Sequence, residues 1–158
     1  MSRFQCETTV NGVVSTVSVE PRTTLADFLR NYLHLKGTKV SCELQVCGTC
    51  TVLVDGDPVS SCSYLAVDVH GRDVLTIEGL ADEGSLHPIQ QAFIEHFAFQ
   101  CGYCTPGFIM MAKALLEDSP HPSDDEVARY FEGNICRCTG YRPILEAVKS
   151  AARSMGGD

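Results

Sequence analysis

The sequence predicts an α+β chain in two parts, a β-rich half followed by an all-helical half. Three observations carry that expectation. Short runs rich in β-branched residues flank Asn11-Gly12 and again Asp55-Gly56, and both dipeptides are tight-hairpin signals. Beyond residue 88 the apolar positions repeat with the helical period instead of the strand period. Between the two lies "GLADEGSLHP", a Gly- and acid-rich stretch that reads as a linker. The expected division is therefore a first unit over 1–78, a linker over 79–88 and a helical unit over 89–158.

In chain order, "FQCETTV" and "VVSTVSV" form the first hairpin, with Phe4, Cys6 and Thr8 on one face, so Cys6 points inward. "TTLADFLRNYL" then changes period, and Leu25, Phe28, Leu29 and Leu33 share a helical face. After a cysteine-bearing loop, "TVLVDGDPVSSC" forms the second hairpin. A turn centred on Gly56-Asp57 sets Val54 against Val59 and Thr51 against Cys62, which returns Cys62 beside Cys50. "DVLTIE" closes a small mixed sheet crossed by one helix.

Four helices follow in the second half. Their apolar stripes are Ile89, Phe93 and Phe97; Phe108, Met111, Ala112 and Leu115; Val127 and Phe131; and Ile144, Val148, Ala151 and Met155. Thr105-Pro106 reads as an N-cap followed by proline at the first helical position. Ser123 with Glu126 reads as a capping box, and Gly133-Asn134 as a helix stop. "CTPGFIMMAKALL" and "CTGYRPILEAVKS" both place Cys-Thr before an apolar helix, 34 residues apart, and each has a second cysteine just upstream. The helical half thus reads as an internal two-fold repeat that brings two cysteine pairs to one end of a bundle.

Composition narrows the function. A 44% apolar share supports a real core. A formal charge of −8 with no basic run argues against nucleic acid or an anionic membrane as partner. No apolar stretch approaches the roughly 20 residues of a membrane span. "MSRFQCETTV" carries no secretion signal, so the expected compartment is the cytoplasm. In that reducing setting nine cysteines read as metal ligation before they read as disulfides.

The first set is Cys42, Cys47, Cys50 and Cys62. Its Cys-x4-Cys-x2-Cys core is the plant-type ferredoxin spacing for a 2Fe–2S cluster, in a loop where Gly48 permits an unusual φ. A zinc site or buried free thiols are the competing readings, although the set lacks paired Cys-x2-Cys units. The second set is Cys101, Cys104, Cys136 and Cys138, whose Cys-x2-Cys and Cys-x-Cys pairs suit either a four-thiolate zinc site or a second 2Fe–2S cluster. The first set, and the absence of histidine from both pairs, tilt the reading toward iron–sulfur.

Together, "CELQVCGTCTV", "QCGYCTPG" and "GNICRCTGY" closely resemble the two-cluster iron–sulfur subunit of the molybdenum hydroxylases, the family of xanthine dehydrogenase, aldehyde oxidoreductase and carbon monoxide dehydrogenase. The resemblance covers nearly the whole chain. It implies a β-grasp ferredoxin-like domain and a four-helix domain with one 2Fe–2S cluster each. It also implies that the helical cluster lies nearer a molybdopterin and the ferredoxin-like cluster nearer an FAD, both cofactors on partner chains. Gln100 matches the family's pterin-contacting glutamine, and Cys138 the ligand closest to the pterin. The chain departs from the family pattern at Gln45, where Gly or Ser is usual, so Gln45 is expected in a backbone conformation that favours glycine.

The remaining residues read more plainly. Cys6 is a buried small hydrophobe, the five histidines lack paired metal spacing, and Met110 and Met111 belong to a helical stripe. Arg137 and Arg142 flank the second set, where they offset cluster charge, meet a partner subunit or lie on solvated surface. No phosphate loop, nucleophile elbow or acid–base constellation appears. The expected function is electron transfer within a multi-subunit molybdenum dehydrogenase, in a heterotrimer that can itself dimerise, formed with a large molybdopterin subunit and a medium FAD subunit. A free ferredoxin shuttle and a zinc-stabilised interaction module are the other classes.

Overall fold

The computed structural model describes residues 3–82 and 84–156; positions 1–2, 83 and 157–158, which fall at the ends and within the expected linker, lie outside the described residues. β1 (Phe4–Val10) and β2 (Val13–Val19) pair antiparallel, Val10 opposite Val13. Asn11 and Gly12 are both left-handed, with φ of 51° and 78°, the geometry whose twist matches that of the flanking strands. β3 (Thr51–Val54) and β4 (Asp57–Ser60) repeat the device across Asp55-Gly56, at φ 52° and 92°. The turn therefore sits one residue earlier than expected. Val54 faces Asp57 and Thr51 faces Ser60 rather than Cys62. The correction follows from turn chemistry: Asp-Gly tolerates two successive positive φ values, and Gly-Asp does so less readily.

β5 (Asp73–Leu75) runs parallel to β1 and antiparallel to β3, so the sheet order is β2-β1-β5-β3-β4. β5 is shorter than "DVLTIE" because Asn11 captures its end: the Thr76 N–H donates to Asn11 Oδ1 at 2.8 Å. Helix α1 (Leu25–Asp27) is capped by Thr24, whose Oγ1 accepts the Asp27 N–H at 3.1 Å. It widens at once into a π turn over Phe28–Tyr32, closed by Leu33 N–H to Phe28 O at 3.1 Å. The expected face is kept through Leu25, Phe28 and Leu29, which are buried, while Leu33 is only half-buried.

The sheet is covered on both sides, which explains why every residue of β3 is buried. Val52 and Val54 join Cys6, Val10, Leu25, Phe28 and Val74 in one core. Leu53 joins the other core, made by the helices. These are α2 (Pro88–Glu95), α3 (Thr105–Asp118), α4 (Asp124–Tyr130) and α5 (Arg142–Gly156). With α1, five α-helices lie among the described residues.

Three stripes need correction, two of them at their ends. Phe97 lies beyond α2, at φ 51° and 81% exposed, because the helix stops at His96. Met155 is exposed and Met111 only half-buried, whereas Met110 is in the core. α4 ends at Tyr130, and Asn134 closes the following turn by donating its N–H to Phe131 O at 2.9 Å. The Ser123–Glu126 capping box is present. The cap of α3 is Cys104, not Thr105, with Pro106 at the second helical position. α5 begins four residues after Cys138, so the two Cys-Thr segments enter their helices differently.

Candidate metal centres

The first cysteine loop, residues 41–50, has no regular structure, and Glu43, Gln45 and Gly48 are left-handed at φ 55°, 60° and 65°. Interrupting an extended chain with left-handed residues curls it, so successive N–H groups turn toward one centre. Leu44 N–H and Val46 N–H both donate to Cys42 Sγ, at 3.4 and 3.5 Å. These backbone donors hold the Cys42 thiol down to about 6. Gln45 is in the glycine-favouring conformation expected of that position, and its Oε1 accepts from Ser63 Oγ at 3.2 Å.

Cys62 comes beside Cys50 despite the shifted register, because the chain bends just past β4. Ser61 N–H donates to Cys50 O at 3.4 Å and Ser61 Oγ to the same oxygen at 2.6 Å. Both sulfurs are buried, and burial first, then Cys62, leaves the Cys50 thiol at about 11. Near neutral pH such a thiol releases its proton to solvent when a bound cation takes up the thiolate.

In the second set, Cys101 and Cys104 lie on the turn from α2 into α3, and Cys136 and Cys138 on the connection from α4 to α5. Cys101 and Cys138 are exposed with sulfurs 3.6 Å apart. Their shared hydrogen bond is the main reason the Cys138 thiol is raised. Cys104 is half-buried against the buried Cys136, and burial, with Cys136 and Cys101 nearby, pushes the Cys104 thiol up to about 12. Burial pushes the Cys136 thiol up as well, but hydrogen bonds from the Thr139 hydroxyl and N–H outweigh it and hold it below its usual value.

The eight cysteines thus associate as four pairs, Cys42 with Cys47, Cys50 with Cys62, Cys101 with Cys138, and Cys104 with Cys136. Each set has an inner, more buried pair and an outer one. A 2Fe–2S cluster takes four thiolates, two to each iron, and the two pairs in each set fit that group.

The two sets meet at one seam. Ile135 N–H donates to Cys47 O at 2.9 Å, and Asn134 Nδ2 donates to Gly48 O at 3.2 Å. Gly107, in the first turn of α3, lies against the carbonyls of Gly48 and Thr49, and a Cβ there would overlap both. Sequence reasoning missed Asn134, Thr139 and Tyr141. Asn134 is almost fully buried with its Oδ1 unpaired. The Tyr141 hydroxyl accepts the Cys136 N–H at 3.1 Å. The adjacent "GNIC" and "CTGY" stretches held no pattern that assigns these contacts. Gln100 is exposed beside Cys101, with exposed Phe97, Phe99 and Tyr103 near it in sequence. Around the first loop, Leu44 and Val46 are exposed as well, Leu44 at 75%.

Known proteins match this chain along nearly its whole length. A 2Fe-2S iron-sulfur cluster binding domain matches residues 8–76, and a second 2Fe-2S binding domain matches residues 76–149. The chain is 51% identical to the 6-hydroxypseudooxynicotine dehydrogenase complex subunit beta of Paenarthrobacter nicotinovorans, over 96% of this chain and 95% of that one. It is 50% identical to the nicotine 6-hydroxylase small subunit of the same organism, covering 98% and 93%. The crystal structure of quinoline 2-oxidoreductase from Pseudomonas putida 86 contains a chain that superposes with a TM-score of 0.92 at 44% identity, over 95% of this chain and 94% of that one.

Proposed function

We propose that this chain, which belongs to the two-cluster iron–sulfur subunits of the molybdenum hydroxylases, passes electrons one at a time from a molybdopterin centre on a large partner chain to an FAD on a medium one. The observation that carries this reading is the pairing of eight cysteines into two sets of two pairs. Cys42, Cys47, Cys50 and Cys62 would hold one 2Fe–2S cluster, and Cys101, Cys104, Cys136 and Cys138 the other. Each bound cluster supplies a one-electron acceptor that is also a one-electron donor.

The chain's own residues do the rest. Buried inner pairs keep water from the seam between the sets, and backbone amides at Cys42 offset the charge of its thiolate. Gln100 and Cys138, both exposed, would face the pterin, and the Leu44–Val46 loop tip the flavin side. We assign residues 1–78 to a β-grasp ferredoxin-like unit, 79–88 to a linker and 89–158 to a four-helix unit with a two-fold internal repeat. The repeat is supported by the two helix–cysteine pair–helix segments, though their helix entries differ. The assembly would be a heterotrimer, which can dimerise, in the cytoplasm. Among the described residues no helix is long and apolar enough to cross a membrane. Relatives at 44–51% identity carry the names of different substrates. Substrate choice therefore rests on another chain.

Metal and labile-sulfide analysis tests the reading, with about four of each expected per chain from two 2Fe–2S clusters. Cys47→Ser should abolish the spectroscopic signal of the first cluster alone and Cys104→Ser that of the second alone. In assembled complexes either change should block reduction of an external acceptor while molybdenum is still reduced by substrate in a single turnover. Zinc at full occupancy in the helical unit would overturn the second half of the assignment.

A further inference from the structure

Thr139 follows Cys138 directly and lies three residues before α5. Its Oγ1 is 3.1 Å from Cys136 Sγ, and its N–H donates to the same sulfur at 3.4 Å. On the other side, Tyr141 N–H donates to Thr139 Oγ1 at 3.3 Å. A hydroxyl has one proton and two lone pairs. With an acceptor position taken by Tyr141, its proton is free to point at the sulfur, and a Cys136 thiolate has none to give back.

The backbone holds this arrangement in place. Gly140 and Tyr141 are left-handed, at φ 68° and 70°, and turn the chain back on itself. The Tyr141 hydroxyl then accepts the Cys136 N–H at 3.1 Å, and its ring sits edge-on to buried Phe108, centroids 6.4 Å apart. The turn from 136 to 141 is thereby closed around one sulfur. By contrast the Ser61 hydroxyl, beside Cys50, donates to a carbonyl at 2.6 Å.

We propose that Thr139 is a positioning residue whose hydroxyl hydrogen bond to Cys136 Sγ raises the reduction potential of the helical cluster. The inference rests on the assignment of Cys136 as a ligand. Reduction adds one electron, delivered from the molybdenum centre of the partner chain, and part of the added charge resides on the thiolate sulfurs. A donor on that sulfur stabilises the more negative state more than the less negative one. The hydroxyl proton stays on Oγ1 throughout. The higher potential draws the electron off the molybdenum side and into the chain.

Redox titration of both clusters in the assembled complex, followed by electron paramagnetic resonance, tests this. In Thr139→Val, which keeps shape and removes the donor, the helical cluster should be about tenfold harder to reduce, a fall of about 59 mV for one electron. The ferredoxin-like cluster should not move, and Thr139→Ser should stay near wild type. An unmoved helical potential in Thr139→Val, with both signals at full intensity, overturns the proposal. If that variant loses the helical cluster, the wild type decides. Pulsed resonance of the reduced complex after brief exposure to D2O should show loss of a strongly coupled, fast-exchanging proton at the helical cluster, and its absence overturns the proposal equally. A wild-type chain with no second 2Fe–2S signal would overturn the ligand assignment itself, and this inference with it.

Discussion

Gln45 bears a side chain at φ 60°, where a non-glycine residue meets its own following carbonyl at a cost of roughly 1–2 kcal/mol. The hydrogen bond from Ser63 to its Oε1 offsets part of that cost, though both groups are exposed. Gln45→Gly removes the clash but gives the unfolded loop more freedom, so holoprotein stability should rise by only about 0.5 kcal/mol. Gln45→Val should lower stability by about 1–2 kcal/mol, because a β-branched side chain tolerates positive φ least. Thermal denaturation followed through the visible absorbance of the clusters compares the two. If Gly and Val gave the same change, strain at this position would not be the governing effect.

Among the elements, α3 does most to join the two cysteine sets, and Gly107 is where it touches. A methyl group there meets the Gly48 and Thr49 carbonyls, which are backbone and cannot swing aside. Gly107→Ala should cost about 3 kcal/mol, at the upper end of the usual overpacking penalty. It should disturb the ferredoxin-like cluster's signal although the residue lies in the helical half. A variant with both spectra and its melting temperature intact would refute this account of the seam.

Helix α2 supplies a pH test. His87 caps it with neutral Nδ1, which accepts Ile89 N–H at 3.2 Å, while the His87 backbone N–H donates to Gln90 Oε1 at 3.0 Å. Burial, then the positive charge of Lys113, lowers the His87 pKa. The folded state therefore binds the proton less readily than the unfolded chain does. The stabilisation from the cap is complete above about 6.5, the ordinary histidine value, and is lost as pH falls from there through the lowered one. His87→Asn, which keeps the cap without titrating, should flatten the melting temperature in that window relative to wild type.

Across the whole molecule, each cysteine set has a more buried inner pair and a more exposed outer one. Stripping iron with a chelator should therefore loosen both halves together, since cluster binding is coupled to folding and the seam ties one loop to the other. Circular dichroism should show lost helix and a lowered melting transition. Charge gives a second readout. Each oxidised cluster with its four thiolates carries about −2, so the holoprotein should behave as about −12 against −8 for the chain alone. Native electrophoresis compares the two forms, and equal mobility after correction for shape would contradict the count.

Much of this was legible in order and spacing. Both hairpins follow from Asn-Gly and Asp-Gly, which determine local φ without help from the rest of the chain. The capping box at Ser123 is equally local. The close spacings were legible too, Cys42, Cys47 and Cys50 within one tight loop and Cys101-Cys104 and Cys136-Cys138 as two short pairs. What depended on tertiary structure lay at ends and seams. Phe97 leaves its helix and Met155 faces solvent because stripes extrapolate past the last packed turn. Cys62 reaches Cys50 through a bend after β4 that no pairing count contained. The burial of Asn134, the fit of Gly107 on Gly48 and the aim of Thr139 at Cys136 each join residues through packing rather than period. The sequence by itself determined which residues form turns, strands, helices and closely spaced cysteines, because those preferences act within a few residues. Only the tertiary structure decided how the sulfurs pair and how the two sets touch, because close packing between distant segments sets those distances.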